Sequence, residues 1–313
     1  MTKNVVVIGG GTGSFTVLKG LKKYDLHITS VVTMFDSGGS SGVLRDEFGI
    51  LPPGDARQSL VALAEDGDNI LRELFNYRIR EECSLTNQSM GNLFLLALTR
   101  ITGSEAEAIK KAAKILNVKG TVLPVSVNKA DVCVEYEDGS VVVGEKHLDS
   151  PSEKEVKIRR IFLSNPAYLC EDARLAIQKA DLIVLGPGDL YGSLVPNLLV
   201  EGMREALHLC AGKKVYVCNL MTKFGQTTNQ ASEFVREIMR YGFSPDVVIC
   251  SSTTPDSTQV KRYEGAKQTP VVIDDVVHSL VPVVVCGDLM SKQSLVRHDP
   301  DVLGKVLMDV MKS

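Results

Sequence analysis

The sequence predicts an α/β fold with a mostly parallel sheet and a small antiparallel β insertion. Three observations predict it. Apolar runs of strand length alternate with segments of helical spacing toward both ends of the chain. The first run, Val5-Val6-Val7-Ile8, passes straight into Gly9-Gly10-Gly11-Thr12-Gly13 and then into a helical segment. Five predicted strands end on their carboxyl side in loops of Gly, Ser, Thr, Asn and Asp, and in an open parallel sheet those ends share one ligand-binding edge.

Taken in order, the first strand is expected at about Asn4 to Ile8 and its helix carries Phe15, Val17, Leu18 and Leu21. A second strand, His27 to Thr33, completes a right-handed β-α-β unit. A long loop follows, Met34 to Gly54, holding Asp36-Ser37-Gly38-Gly39-Ser40-Ser41-Gly42 and Leu51-Pro52-Pro53-Gly54-Asp55. Loops of that length in compact domains are mostly functional. Asp55 reads as the N-cap of a helix through Leu60 and Leu63, and helices are expected over 69–77 and 91–101. Ser104 with Glu107 forms a capping box for a helix to about Leu116.

Between 120 and 161 the pattern changes to short strands: Thr121 to Val127, Asp131 to Tyr136, Ser140 to Val143 and then Val156 to Leu163, with Asp138-Gly139 as a hairpin turn. This reads as an antiparallel insertion at about 120–161 on a single unit spanning 1–313. The α/β rhythm then returns. Helices are expected at 172–179, 198–209 and 232–241. Strands are expected at 181–185, 214–218, 246–250 and 281–285, and Asp299 and Pro300 open a final helix.

The composition bounds the function. The 313 residues are 44% hydrophobic, enough for one large core, and the formal net charge is −3 with no long basic run. A broad nucleic-acid or membrane-surface role is therefore excluded. No run approaches a membrane span and the N-terminus lacks a signal-peptide pattern. The seven cysteines form no Cys-x-x-Cys pair, which fits reduced thiols and a cytoplasmic location. The five scattered histidines leave no structural zinc pattern, so no metal ligands are assigned.

The motifs converge on a phosphorylated ligand. Gly9, Gly10, Gly11, Thr12 and Gly13 let the backbone turn and approach a phosphate at a helix N-terminus, where unpaired N–H groups and the dipole favour an anion. The dinucleotide fingerprint is missed, because Ser14 or Thr16 stands where it wants Gly, and Walker A is missed too. Asp36 suits a ribose hydroxyl, a base or Mg²⁺, and equally a turn-capping role. Gly38, Gly39, Ser40 and Ser41 suit a backbone that wraps phosphate or sugar oxygens. Asp55 and Arg57 read either as ligand groups or as an N-cap and a solvated helix surface. Asn92 either caps its helix or faces a ligand. Gly186-Pro187-Gly188 after the most apolar strand reads as a second phosphate- or base-binding loop, with Asp189 taking a hydroxyl, base edge or metal, or else capping the next helix. Asn219 ends the following strand, and Arg297 offers a planar fork for a pyrophosphate. No Ser-His-Asp arrangement, Cys nucleophile motif or glycine-flanked general-base His is present, so binding is better supported than turnover.

These motifs, in order, carry a family resemblance. Gly9 to Gly13, Gly38 to Gly42 with Leu44-Arg45, Leu51 to Asp55, Gly91-Asn92-Leu93, Gly186 to Gly188 with Leu190-Tyr191, Pro196 to Leu199 and Asn219 to Thr222 together resemble the bacterial YvcK family of gluconeogenesis factors. That family is similar in turn to the archaeal 2-phospho-L-lactate transferases, the CofD-like proteins of deazaflavin coenzyme synthesis. The resemblance implies a Rossmann-like three-layer core and a cytoplasmic homo-oligomer, a dimer. It further implies a UDP-sugar ligand such as UDP-N-acetylglucosamine and a role in cell shape and envelope precursor supply during gluconeogenic growth. The transferase branch implies a GDP-linked donor, with Mg²⁺ if a reaction is catalysed; NAD is a third candidate through Asp36. The chain departs from the family pattern at Ser37 (usually Asp), Gln88 (commonly His), Asp189 and Gly192 (usually Ser and Thr), Gln226 (Glu) and Phe234 (commonly His). Those departures weaken a two-carboxylate metal site and acid–base catalysis while leaving nucleotide binding in place.

Overall fold

The structure is a computed structural model that describes residues 2–35, 38–65, 70–144 and 156–313. The expected alternation is present. Strand β1 (Lys3–Gly9) leads into α1 (Gly11–Leu21), and β2 (Leu26–Val32) into α2 (Gly39–Phe48) and α3 (Gly54–Leu63). Helices α4 (Ile70–Asn76), α5 (Met90–Thr102) and α6 (Glu105–Ile115) precede β3 (Thr121–Pro124). Strands β4 (Val132–Tyr136), β5 (Val141–Val143) and β6 (Ile158–Leu163) come next, then α7 (Glu171–Gln178) and β7 (Leu182–Leu185). A π-helical turn (Leu190–Leu194) runs into α8 (Val195–Leu198) and α9 (Met203–Leu209). The remainder is β8 (Lys213–Val217), α10 (Ala231–Arg240), β9 (Val247–Ser251), α11 (Ser257–Glu264), α12 (Val277–Leu280), β10 (Val283–Gly287) and α13 (Pro300–Lys312).

Seven strands form one sheet in the order β10-β9-β8-β7-β1-β2-β3, every neighbouring pair parallel. From β1 the chain builds outward through β2 and β3 on one side. From β7 it builds outward through β8, β9 and β10 on the other. The direction of winding therefore reverses between β1 and β7, and in such sheets the crevice at that reversal is where ligands bind. The two strands are in register through Ile8 and Leu185, so Gly9 and Gly186 leave the sheet side by side.

Period-two alternation places the core on both faces. Val5, Val7, Val184 and Val217 pack against α1, α3, α5 and α13. Val6, Ile8, Leu185 and Val248 pack against α7 to α10 and against Val132, Val134 and Ile161 of the second sheet. That second sheet is antiparallel, ordered β5-β4-β6.

Several local expectations change. The strand expected at Thr121 to Val127 does not belong to the antiparallel part: Thr121–Pro124 pairs parallel with β2 and closes the edge of the main sheet. The long 34–54 loop contains α2, because buried Leu44 gives it a core contact and Gly49, at φ 66°, ends it in a left-handed C-cap. The single helix expected over 198–209 is divided, with Gly202 at φ 91° resetting the chain before α9. Ser104 caps α6 by accepting the Glu107 N–H at 3.3 Å, while its own N–H goes to Thr102 Oγ1. Asp299 caps α13 as expected, accepting the N–H groups of Asp301 and Val302.

Candidate functional site

The glycine turn after β1 is held by a residue from another helix. Asp55 is not the N-cap of α3; that position is Pro53, and Asp55 lies in the first turn with its carboxylate directed away. Its Oδ1 accepts the Gly11 N–H at 2.7 Å. Gly11 stands at φ 64°, which glycine adopts without steric cost, and a Cβ on Gly10 would lie 2.0 Å from Asp55 Oδ2. The glycines at 10 and 11 are therefore required by the approach of a carboxylate as well as by the turn.

The second glycine loop presses on the same helix start. A Cβ on Gly13 would lie 1.9 Å from the Pro187 carbonyl oxygen. Gly186-Pro187 is a cis peptide, and the Gly186 N–H donates to Ile8 O at 3.2 Å. Asn219 then locks this loop to the end of β8: its Nδ2 donates to Gly188 O at 2.8 Å and its Oδ1 accepts the Gly188 N–H at 3.4 Å. Gly9 to Gly13, Gly186 to Gly188 and Asn219 thus form one connected rim at the reversal point of the sheet.

Asp189 is occupied. Its Oδ1 accepts the N–H groups of Tyr191 and Gly192 at 3.1 and 2.9 Å and Nε2 of Gln226 at 3.0 Å, while Oδ2 pairs with the Lys223 ammonium. Of the roles the sequence left open, capping is the one this geometry fills. Lys223 balances its charge.

Two residues along α3 from Asp55, a buried polar cluster joins α2, α3 and α5. Arg57 Nε donates to Asn92 Oδ1 at 3.1 Å, and Nη1 donates to Asn76 Oδ1 at 3.1 Å and to Phe75 O at 3.4 Å. With its oxygen engaged, Asn92 turns its amide N–H groups to Ser40 Oγ at 3.3 Å and Ser41 Oγ at 3.5 Å. Arg78 Nη1 also reaches Ser40 Oγ, at 3.3 Å. Burial pushes the Arg57 guanidinium down to about 10, repulsion from Arg78 adds to this, and Asp55 opposes it. Arg57 stays a cation at neutral pH and carries no solvated role. Gly91 makes room for it, since a Cβ there would lie 2.7 Å from Arg57 Cδ.

Two hydroxyls beside the glycine turn, Ser14 Oγ and Thr33 Oγ1, are buried with no protein partner among the described residues. Ser14 Oγ would lie 2.6 Å from a Cβ on Gly9. His298 is buried and pushed down to about 4 by burial, against a hydrogen bond to the Cys218 backbone. The imidazole is neutral at pH 7 and anchors the loop that bears Arg297 against the end of β8.

The predicted site residues therefore divide. Gly9, Gly10, Gly11, Thr12, Gly13, Asp55, Gly186, Pro187, Gly188 and Asn219 belong to the rim, and Ser40, Ser41 and Asn92 to the cluster beside it. Gly38 caps α2 and Gly39 opens it. Asp36 lies outside the described residues. Arg297 is exposed, and among the described residues its guanidinium makes no ion pair or hydrogen bond with either glycine loop. Also among the described residues, no group of three or more His, Cys, Asp or Glu side chains could hold a metal ion. Lys223 and Asn76 escaped the sequence reading, and nothing local marks either one. The Gly91-Asn92 pair was the available signal for Arg57.

Residues 5–290 match the family described as 2-phospho-L-lactate transferase CofD. The gluconeogenesis factor of Halalkalibacterium halodurans is 39% identical over 98% of this chain and 96% of its own length. The gluconeogenesis factor of Bacillus subtilis is 37% identical over 98% of each chain. A crystal structure of a Bacillus halodurans protein superposes with a TM-score of 0.93 at 38% identity, covering 98% of this chain and 100% of that one.

Proposed function

The chain belongs to the CofD family, among the bacterial gluconeogenesis factors, and from that premise we propose that it binds a nucleotide sugar of the UDP-N-acetylglucosamine type. In this reading it is a cytoplasmic regulator that sets carbon flux toward cell-envelope synthesis, and with it cell shape, during gluconeogenic growth.

One observation carries the reading: the contact of the two glycine loops at the sheet's reversal point, with Gly13 against Pro187. A diphosphate is the ligand group that suits it. The first turn of α1 beyond Gly11 lies at the helix's positive dipole end, where an anion is favoured. Asp55 organises the turn through Gly11 and leaves Thr12 and Gly13 to the ligand. The exposed Arg297 supplies a cation for the diphosphate. The Ser40, Ser41 and Asn92 groups and the Asn219 loop offer hydroxyl and amide partners to the nucleoside and sugar.

Binding without turnover is favoured by two ionisable groups that are committed elsewhere. Asp189 is spent on Lys223 and backbone N–H groups, and His298 is buried and neutral. The second reading, a phospholactyl-type transferase acting on a nucleoside diphosphate-linked donor, is favoured by the family match itself.

Calorimetric titration with UDP-N-acetylglucosamine, UDP-glucose, GDP and NAD tests the proposal. Saturable heat with a UDP-sugar is expected. Heat with GDP or NAD alone would remove the UDP-sugar reading. Mg²⁺-dependent release of GMP from a GDP-linked phospholactate donor, in the presence of a deazaflavin acceptor, would establish the transferase.

A further inference from the structure

A second cleft opens at the amino edge of the main sheet, away from the glycine loops. Its volume is 640 Å³, within the size range of small-molecule sites. Helix α9 supplies Arg204, Leu207 and His208 at i, i+3 and i+4, so the three share one face. Lys214, near the start of β8, and Ser244, in the turn that leads to β9, complete the wall. The basic groups here lack a carboxylate partner. Among the described residues, the Arg204 and His208 side chains make no ion pair or hydrogen bond, and the Lys214 ammonium reaches the Cys210 carbonyl at 3.5 Å. Asp246, close by, accepts the Lys214 backbone N–H through Oδ2 at 2.7 Å. Glu205 is the acidic residue of the lining, and it lies within electrostatic reach of Arg174 on α7. Arg204 is also held in place. Gly242, at φ 97°, lets its stem pass so close that a Cβ there would lie 3.2 Å from Nε and 3.3 Å from Cγ.

We propose that this cleft binds a sugar or polyol phosphate, at a site separate from the nucleotide cleft. Arg204 and Lys214 are like charges on one cleft, and an anion between them relieves their repulsion. The guanidinium fork suits two phosphate oxygens, the ammonium adds a point charge, and the His208 imidazole adds a further N–H donor. Below them the buried Leu207 and half-buried Met239 form an apolar floor for a carbon skeleton. Glu205 and Ser244 offer oxygens to its hydroxyl groups. The combination selects the class. Inorganic phosphate would leave the floor and Glu205 unused, and a nucleic acid would need a longer basic track than three side chains. The two sites are distinct because the glycine loops leave the carboxyl ends of the strands, whereas Lys214 stands at the amino end of β8.

The experiment is calorimetric titration of the full chain with glucose 6-phosphate, glucose and inorganic phosphate, without nucleotide. Saturable heat is expected with glucose 6-phosphate, and much weaker binding of either half alone. Arg204→Gln and Lys214→Gln are each expected to weaken glucose 6-phosphate binding at least about tenfold, the loss of one charge-assisted hydrogen bond, with unchanged circular dichroism. Arg204 is exposed, so its variant keeps the test open if the one at 214 fails to fold. Arg297→Gln, beside the glycine rim, is expected to bind glucose 6-phosphate as wild type does, which tells failure of this site from failure of the nucleotide reading. Absence of saturable heat, heat that survives in both folded variants, or inorganic phosphate binding as tightly as the ester would overturn the proposal.

Discussion

Asp55 Oδ1 accepts the backbone N–H of Gly11 at 2.7 Å, across 44 residues of sequence. This bond ties the start of α3 to the start of α1 and fixes the glycine turn before any ligand arrives. Asp55→Ala removes a buried charged acceptor and leaves that N–H without its partner, which costs about 1–3 kcal/mol. Urea unfolding is expected to show that loss, and calorimetry a weaker UDP-sugar affinity. Asp55→Asn retains an oxygen for Gly11, so it is expected to recover most of the stability.

Gly13→Ala places a methyl group 1.9 Å from the Pro187 carbonyl, where backbone must give way. Overpacking of this kind costs about 1–3 kcal/mol, and here it pries apart the two loops of the rim. Thermal unfolding and ligand titration are both expected to show the damage. The contrasting variant is Gly265→Ala. Gly265 has φ −61° and ψ −27° with nothing within 4 Å of an added Cβ, so a gain of about 0.4–1 kcal/mol is expected.

Asp189 distinguishes a cap from a ligand. Asp189→Ala strips two N–H groups of their acceptor and Lys223 of its charge partner. Loss of the cap alone costs about 0.5–2 kcal/mol, and the half-buried ammonium adds to it. The destabilisation is expected in the unliganded protein, measured by urea midpoint. An Asp189→Ala variant with wild-type stability but no nucleotide binding would instead make this carboxylate a ligand group.

His298 makes stability depend on pH. Its folded pKa of about 4 lies below the ordinary 6.5 because burial disfavours the imidazolium. The unfolded chain therefore binds the extra proton between those values and the folded chain does not. Stability from this group is complete above pH 6.5, falls as pH drops toward 4, and levels off below it, a total of about 3 kcal/mol. Urea midpoints from pH 7 to 4.5 are expected to fall for wild type and to fall less for His298→Gln.

Much of the scaffold is legible locally. Val5 to Ile8 reads as a strand from its apolar run, and Asp299-Pro300 reads as a helix start from capping chemistry alone. Asn219 and Gly186 to Gly188 are recognisable as loop residues after strands, and both do belong to the rim. Local reading fails where a residue's partner is distant. Arg57 reads equally as solvated helix surface, yet it is buried against Asn76 and Asn92. Lys223 carries no mark at all, since its importance lies in the charge of Asp189, 34 residues earlier.

By itself the sequence determined the alternation of strands and helices, the glycine turns and the residue types on the carboxyl edge. Each of these follows from periodicity, steric freedom or capping within a few neighbouring residues. Only the tertiary structure decided the order β7-β1-β2, and with it which loops meet. Strand order depends on burying both faces of the sheet at once, a condition no short stretch contains. That order brings Pro187 against Gly13, while the packing of α3 against α1 brings Asp55 to Gly11, and so turns four glycines at the start of the chain into one wall of a cleft.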